Sequence, residues 1–183
     1  MSSPWPKPDE ILEHYGRMRE ALTFLGRHFQ EVTMNEKSRF FGLTRDEFDT
    51  CLTLTLDELD EQVVMMLMAS CEATLKRDFA RRLRDKRPKD QLWRQFRELE
   101  QATKDKDADH VRLEDLLDAW KRESGKIELI GQLKQLVKRR HWLAHGRHRT
   151  YKSGVAPDPT QAWAIIGAVF DALRQCQPDF PRA

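Results

Sequence analysis

The chain has 183 residues, of which 39% are hydrophobic and 34% charged, and its formal net charge is +2. This length favours a single domain over 1–183, and so small a charge does not by itself indicate a polyanionic partner. Three cysteines without a close pair, no run of about 18 apolar residues and no signal-like N-terminus argue against disulfide scaffolds, membrane proteins and exported proteins, so we expect a cytoplasmic protein.

Hydrophobic spacing predicts an all-α protein. The first helix is predicted over about 9–31, and a capping box of Thr44 and Glu47 opens a short second helix through Leu52. The strongest pattern starts at about 55–57 and runs to about 83, and its middle, VVMMLMAS, is apolar all round. This profile is typical of a helix in the centre of a bundle, although a helix shared with another subunit would have the same profile.

The second half of the chain repeats the helical pattern between loops that contain glycine, proline or charged residues. Helices are predicted around 92–99, over about 113–124 ending near Gly125, over 127–146, and over about 160–176. The residues of the last helix expected to face inward are Trp163, Ile166, Phe170 and Leu173. The prediction is therefore a bundle of four main helices with one or two short additional helices.

Residues 138–152 read KRRHWLAHGRHRTYK and combine six lysines or arginines with three histidines and no carboxylate. A positive field of this kind favours neutral imidazole and attracts phosphates. His141 and His145 are four residues apart, so they share one helix face, and Arg140 is long enough to reach the same cleft. An imidazole that transfers a proton and an arginine that holds a phosphate are groups that metal-free RNA cleavage requires.

Two segments resemble the HEPN superfamily. RHWLAH at 140–145 matches its motif of arginine, a polar residue, three variable residues and histidine, and the following glycine and the position before the last helix also match. Upstream, MASCEATLKRDFARRL at 68–83 resembles the second-helix segment of the RiboL-PSP-like branch. The likeness covers about 57–176, so the N-terminal helix lies outside it.

This resemblance implies a four-helix HEPN domain that forms a homodimer with a composite active site. It implies a metal-independent endoribonuclease without a cofactor, in which the 2′-hydroxyl attacks and a 2′,3′-cyclic phosphate end remains. His145 would be the acid or base, Arg140 would orient the phosphate, and His141 would assist. Such domains serve as toxins, in antiviral defence or in RNA processing. One branch has an antitoxin that modifies a tyrosine two residues after the histidine, but Arg147 occupies that position here, so no particular antitoxin or regulatory partner can be inferred.

Neighbouring basic residues are the candidates for binding the RNA backbone. We predict this role for Arg139, Arg147, Arg149 and Lys152. The basic run 76–89 is either part of the same path or an ordinary solvated face. Trp142 either stacks on a base or lies buried in an interface, and the second interpretation is favoured.

Other interpretations of this segment stay open. Cations near the end of a helix stabilise its dipole without any catalytic role, which accounts for Lys138 and Arg139. A zinc site at His141, His145 and His148 is disfavoured, because no acidic ligand is near in sequence. The alternative functions are a non-catalytic HEPN module that binds nucleotide, nucleic acid or a partner protein, and a plain helical interaction protein.

Overall fold

The computed structural model describes residues 6–84, 90–105, 111–145 and 157–181. Within these ranges the chain is helical without strands, which confirms the all-α prediction. The described ranges contain seven helices: α1 (Pro8–Arg27), α2 (Phe29–Thr33), α3 (Arg45–Arg84), α4 (Gln91–Asp105), α5 (Leu113–Ser124), α6 (Ile127–Ala144) and α7 (Pro159–Cys176). None of the helices in the described ranges is long and apolar enough to cross a membrane.

Helix α3 is the centre of the bundle. It packs against α1, α4, α5, α6 and α7. Val63, Val64, Leu67 and Met68 are buried, whereas the side chain of Met66 is 43% exposed. A position in contact with five other helices accounts for the apolar middle of α3 within one copy of the chain, as the first interpretation of VVMMLMAS proposed.

The prediction of two separate helices before residue 83 is wrong, because α3 is one helix of 40 residues. It begins at the predicted capping box, where the Thr44 amide and hydroxyl donate to Glu47 Oε2 at 2.9 and 2.8 Å. No glycine or proline interrupts residues 45–84. The sequence suggested a break between helices near Thr55. Its hydroxyl instead donates a hydrogen bond within α3, to the Cys51 carbonyl at 2.8 Å.

The first predicted helix, 9–31, is instead two helices. His28 leaves helical geometry with φ −102° and ψ 31°, and the short helix α2 follows it. The backbone N–H of His28 donates to the Phe24 and Leu25 carbonyls, and these hydrogen bonds close the end of α1. Hydrophobic spacing continues through this break, so periodicity alone does not reveal it.

The core is one cluster to which α1 and α3–α7 all contribute. Phe96, Trp120 and Phe180 lie at its centre, with ring centroids 6.3 Å apart for Phe96 and Trp120 and 5.4 Å apart for Trp120 and Phe180. Trp163 was expected to face inward, but it is 38% exposed and its indole N–H donates to Asp9 Oδ1 at 3.1 Å. The buried stripe of α7 includes Ala162, one residue earlier, in place of Trp163.

Candidate active site

Arg140 and His141 lie near the C-terminal end of α6, and His145 directly follows the helix. Leu136 and Val137, one turn earlier, are completely buried and hold this end of α6 in the bundle. The His145 N–H donates to the His141 carbonyl at 3.1 Å, so His145 continues the turn.

The two imidazole rings lie near each other on the surface. Their centroids are 6.5 Å apart, with an angle of 57° between the planes. The side chain of His141 is 50% exposed, and His145 is also exposed. The structure therefore brings together the predicted histidine pair and leaves both rings accessible to a ligand.

Arg140 is paired with Glu72 of α3. Its Nη1 donates to Glu72 Oε2, and Lys76 lies 2.7 Å from the other carboxylate oxygen. The Arg140 side chain is 28% exposed and that of Glu72 is 16% exposed. Because a guanidinium has five N–H donors, the pair with Glu72 orients Arg140 and leaves donors for a phosphate.

The pKa of Glu72 is lowered by this arrangement. Burial has the largest single effect and raises the pKa, but the Lys76 hydrogen bond and the charges of Arg140 and Lys76 together lower it more. Glu72 is therefore ionised at neutral pH and holds two cations on one face of the bundle.

His141 has a carboxylate neighbour on α5. Its Nδ1 lies 3.6 Å from Glu114 Oε1, and the Glu114 side chain is 29% exposed. We expected the histidines of this segment to lie in a positive field without an acidic partner, and for His141 this expectation is wrong. Residues distant in the chain, on α3 and α5, supply the carboxylates that the segment itself lacks.

Arg139 is paired with Glu61 of α3. Its Nη2 donates to Glu61 Oε1 at 2.7 Å, and its guanidinium carbon lies 4.5 Å from the centre of the Trp142 ring. Only 12% of its side chain is exposed. An arginine held in this way forms a structural ion pair, which favours packing for Arg139 over the predicted contact with RNA.

The remaining RNA-binding predictions lie outside the described residues. This applies to Arg147, Arg149 and Lys152, as well as to His148 of the alternative zinc site. They stay predictions from the sequence.

The basic run 76–89 is only partly described, and several of its cations have intramolecular partners. Lys76 pairs with Glu72, Arg81 and Arg82 pair with Asp78, and Arg82 is 92% buried, with only 8% of its side chain exposed. This geometry favours a structural role for Arg81 and Arg82 over an RNA path.

A metal site was considered as an alternative for the histidines. Over the described ranges, no three His, Cys, Asp or Glu side chains are grouped so that they could hold a metal ion. Glu114 nevertheless removes one reason for disfavouring a metal, because an acidic ligand does lie beside His141.

The sequence interpretation missed Glu72 and Glu114. Glu72 lies inside the segment 68–83 that carries the resemblance, and it precedes Lys76 by one helical turn. This spacing predicts an ion pair between Glu72 and Lys76, so the sequence contained a signal for Glu72. Glu114 occupies the first turn of a short helix, where an acidic residue is expected for capping alone. Nothing in its local pattern indicates a histidine partner.

Comparisons of the chain with protein-family models, with curated proteins and with solved structures found no significant match. Membership of the HEPN superfamily therefore stays a prediction that depends on residues 140–145 and 68–83.

Proposed function

We propose that this protein is a HEPN-type endoribonuclease that cleaves RNA without a metal ion, by attack of the 2′-hydroxyl, and leaves a 2′,3′-cyclic phosphate end. The observation that carries the proposal is the exposed pair of imidazoles, His141 and His145, whose ring centroids are 6.5 Å apart and which follow, in the chain, an arginine held by a carboxylate. The same residues form the motif that resembles the superfamily.

The chemistry requires three functions at one phosphate. A base takes the proton of the 2′-hydroxyl, an acid protonates the leaving 5′-oxygen, and a cation stabilises the charge of the transition state. Proton transfer requires each imidazole to come within about 2.6–3.2 Å of its oxygen, and two rings several ångströms apart can approach the two oxygens of one phosphate. Arg140 supplies the cation.

We propose that the enzyme acts as a homodimer, as the resemblance implies, with the exposed end of α6 in the shared surface. A second copy with its own motif at this surface would enclose the RNA phosphate in a composite site. Sedimentation velocity at the concentrations used for cleavage is expected to show a dimer. A role as a toxin or antiviral defence effector in the cytoplasm, with an antitoxin or other regulatory partner, depends on the resemblance alone.

The first experiment is incubation of the purified protein with end-labelled total RNA and tRNA in excess chelator. Wild type is expected to give discrete fragments with cyclic phosphate ends. His145→Ala should slow cleavage about 10²–10⁴-fold, because it removes a group that transfers a proton. Arg140→Ala should slow cleavage about 10²–10³-fold, because it removes the cation that stabilises the transition-state charge. Matched controls are His14→Ala and Arg17→Ala on the exposed face of α1, which should cleave like wild type.

Each other outcome contradicts the proposal in a defined way. Cleavage that stops in chelator would indicate a metal-dependent nuclease. Intact RNA that is still bound by the protein would favour the non-catalytic HEPN module. Undiminished cleavage by His145→Ala and Arg140→Ala would place the activity elsewhere or in a contaminant.

A further inference from the structure

We infer that Glu114 is the positioning residue of His141: it accepts a hydrogen bond from Nδ1–H and thereby makes Nε2 the nitrogen that exchanges a proton with RNA. This inference rests on the proposed ribonuclease function and adds a residue on α5 to its site. In a neutral imidazole one nitrogen carries the proton and the other accepts, so the partner of Nδ1 determines which nitrogen reacts.

The geometry places the two groups close enough for this bond to form. His141 Nδ1 and Glu114 Oε1 are 3.6 Å apart, slightly beyond a hydrogen bond. Catalytic hydrogen bonds are often long in the absence of substrate and shorten in the complex. A change of a few tenths of an ångström, within reach of a side-chain rotation, completes the contact.

Both groups are attached to rigid parts of the bundle. Leu113 and Leu116, on either side of Glu114, are 5% and 0% exposed, and Val137, one turn before His141, is 0% exposed. Helices α5 and α6 also pack directly on each other. The separation of the two side chains is thus set by the core rather than by a loop.

The helix ends favour the same pairing. Glu114 lies in the first turn of α5, where free N–H groups stabilise a carboxylate, and His141 lies in the last turn of α6, where free carbonyls stabilise a cation. An imidazolium at His141 during the reaction therefore meets a carboxylate and a negative helix end. His145 has no carboxylate within 4 Å in the part of the chain that is described, so the two histidines have different surroundings.

The test is the tautomer of His141, measured by nitrogen NMR on the RNA-free protein at a pH where the ring is neutral. Wild type is expected to show the Nδ1–H tautomer. Glu114→Met, which keeps the length of the side chain but removes the acceptor, should shift His141 toward Nε2–H. Asp115→Asn, which removes a charge from the same turn of α5, is the matched control and should leave the tautomer unchanged. An Nε2–H tautomer in wild type would overturn the inference. An Nδ1–H tautomer that persists in Glu114→Met would overturn it as well.

Cleavage kinetics test the consequence for catalysis. Glu114→Met is expected to lower kcat at least about tenfold with little change in KM, because Glu114 acts through His141 and does not contact RNA. Glu114→Asp should recover part of kcat, and thermal melts identify any variant that fails to fold. A Glu114→Met variant that is folded and fully active would contradict the inference. Should wild type fail to cleave RNA, the proposed function fails, while the tautomer still decides whether Glu114 positions His141.

Discussion

At the scale of single residues, the candidate site depends on carboxylates from other helices. Glu72 of α3 holds Arg140 and Lys76, and Glu114 of α5 faces His141. A basic segment without such partners would repel itself, and its long side chains would be free to adopt many rotamers. The carboxylates reduce the repulsion and orient the groups that the proposed reaction uses.

The pair of Glu72 and Arg140 predicts a pH-dependent stability. The pKa of Glu72 in the folded protein is below its ordinary value of 4.5, so its contribution is complete above pH 4.5 and is lost as pH falls through the folded pKa. Glu72→Gln should therefore lower the free energy of unfolding by about 1–2 kcal/mol at neutral pH, and by progressively less below pH 4.5.

Chemical denaturation of both proteins between about pH 7 and pH 3 measures this difference. The control is Glu20→Gln on the exposed face of α1, which should stay close to wild type at every pH. If the free energy of unfolding of Glu72→Gln differs from that of wild type by the same amount at every pH, the charge of the carboxylate is not what stabilises the fold.

At the scale of elements, local capping explains where helices begin and end. Helix α7 starts with Pro159 in its first turn, and Asp158 caps it by accepting from the Gln161 N–H at 2.8 Å, while Gln161 Oε1 accepts from the Asp158 N–H at 3.3 Å. Helix α5 ends at Gly125, whose φ of 65° is a left-handed conformation that glycine adopts without strain. These capping residues act over a few positions of the chain, so they can be recognised in the sequence.

The cap of α7 predicts a defined loss of stability. Asp158→Ala removes the acceptor for the Gln161 N–H and should lower the free energy of unfolding by about 1 kcal/mol. Asp158→Asn keeps a side-chain acceptor and should lose much less. Thermal unfolding of the three proteins gives the comparison, and equal melting temperatures for Asp158→Ala and wild type would rule out a stabilising cap.

At the scale of the whole molecule, an ion-pair network with a buried centre joins the ends of several helices. Asp78 is completely buried and binds Arg81 and Arg82 at 2.8 and 2.9 Å, and Arg82 reaches Asp179 in the segment after α7 at 2.8 Å. Burial, the largest effect, raises the pKa of Asp78 despite the two arginines. Phe180, next to Asp179, packs on Trp120 in the core, so the network fixes the segment after α7 across α3 and α5.

Breaking this network should be costly. Asp78→Ala leaves Arg82 buried with Asp179 as its remaining close carboxylate, and we expect a loss of about 1–3 kcal/mol in the free energy of unfolding. Arg84→Ala is the control, because Arg84 is exposed on the same helix and should change stability by no more than about 0.5 kcal/mol. Urea titrations measure both values. A loss for Asp78→Ala as small as that of Arg84→Ala would mean that the network contributes little.

The sequence by itself determined the helical class, the bounds of α5, α6 and α7 to within two residues, and the position of the candidate histidine pair. All three follow from local physics: hydrophobic spacing, capping residues, and two side chains one helical turn apart. The same local reasoning placed Trp163 in the core, because a helical stripe read from spacing alone is uncertain by one position.

Only the tertiary structure decided which charges meet. Glu61 and Glu72 precede Arg139 and Arg140 by 78 and 68 residues along the chain, yet α3 places each glutamate against its arginine. The tertiary structure also decided that α3 continues through residues 53–56, because contacts along the length of α3 stabilise weak helix formers such as threonine. Electrostatic partners depend on distance in space, and that distance is set by packing rather than by position in the chain.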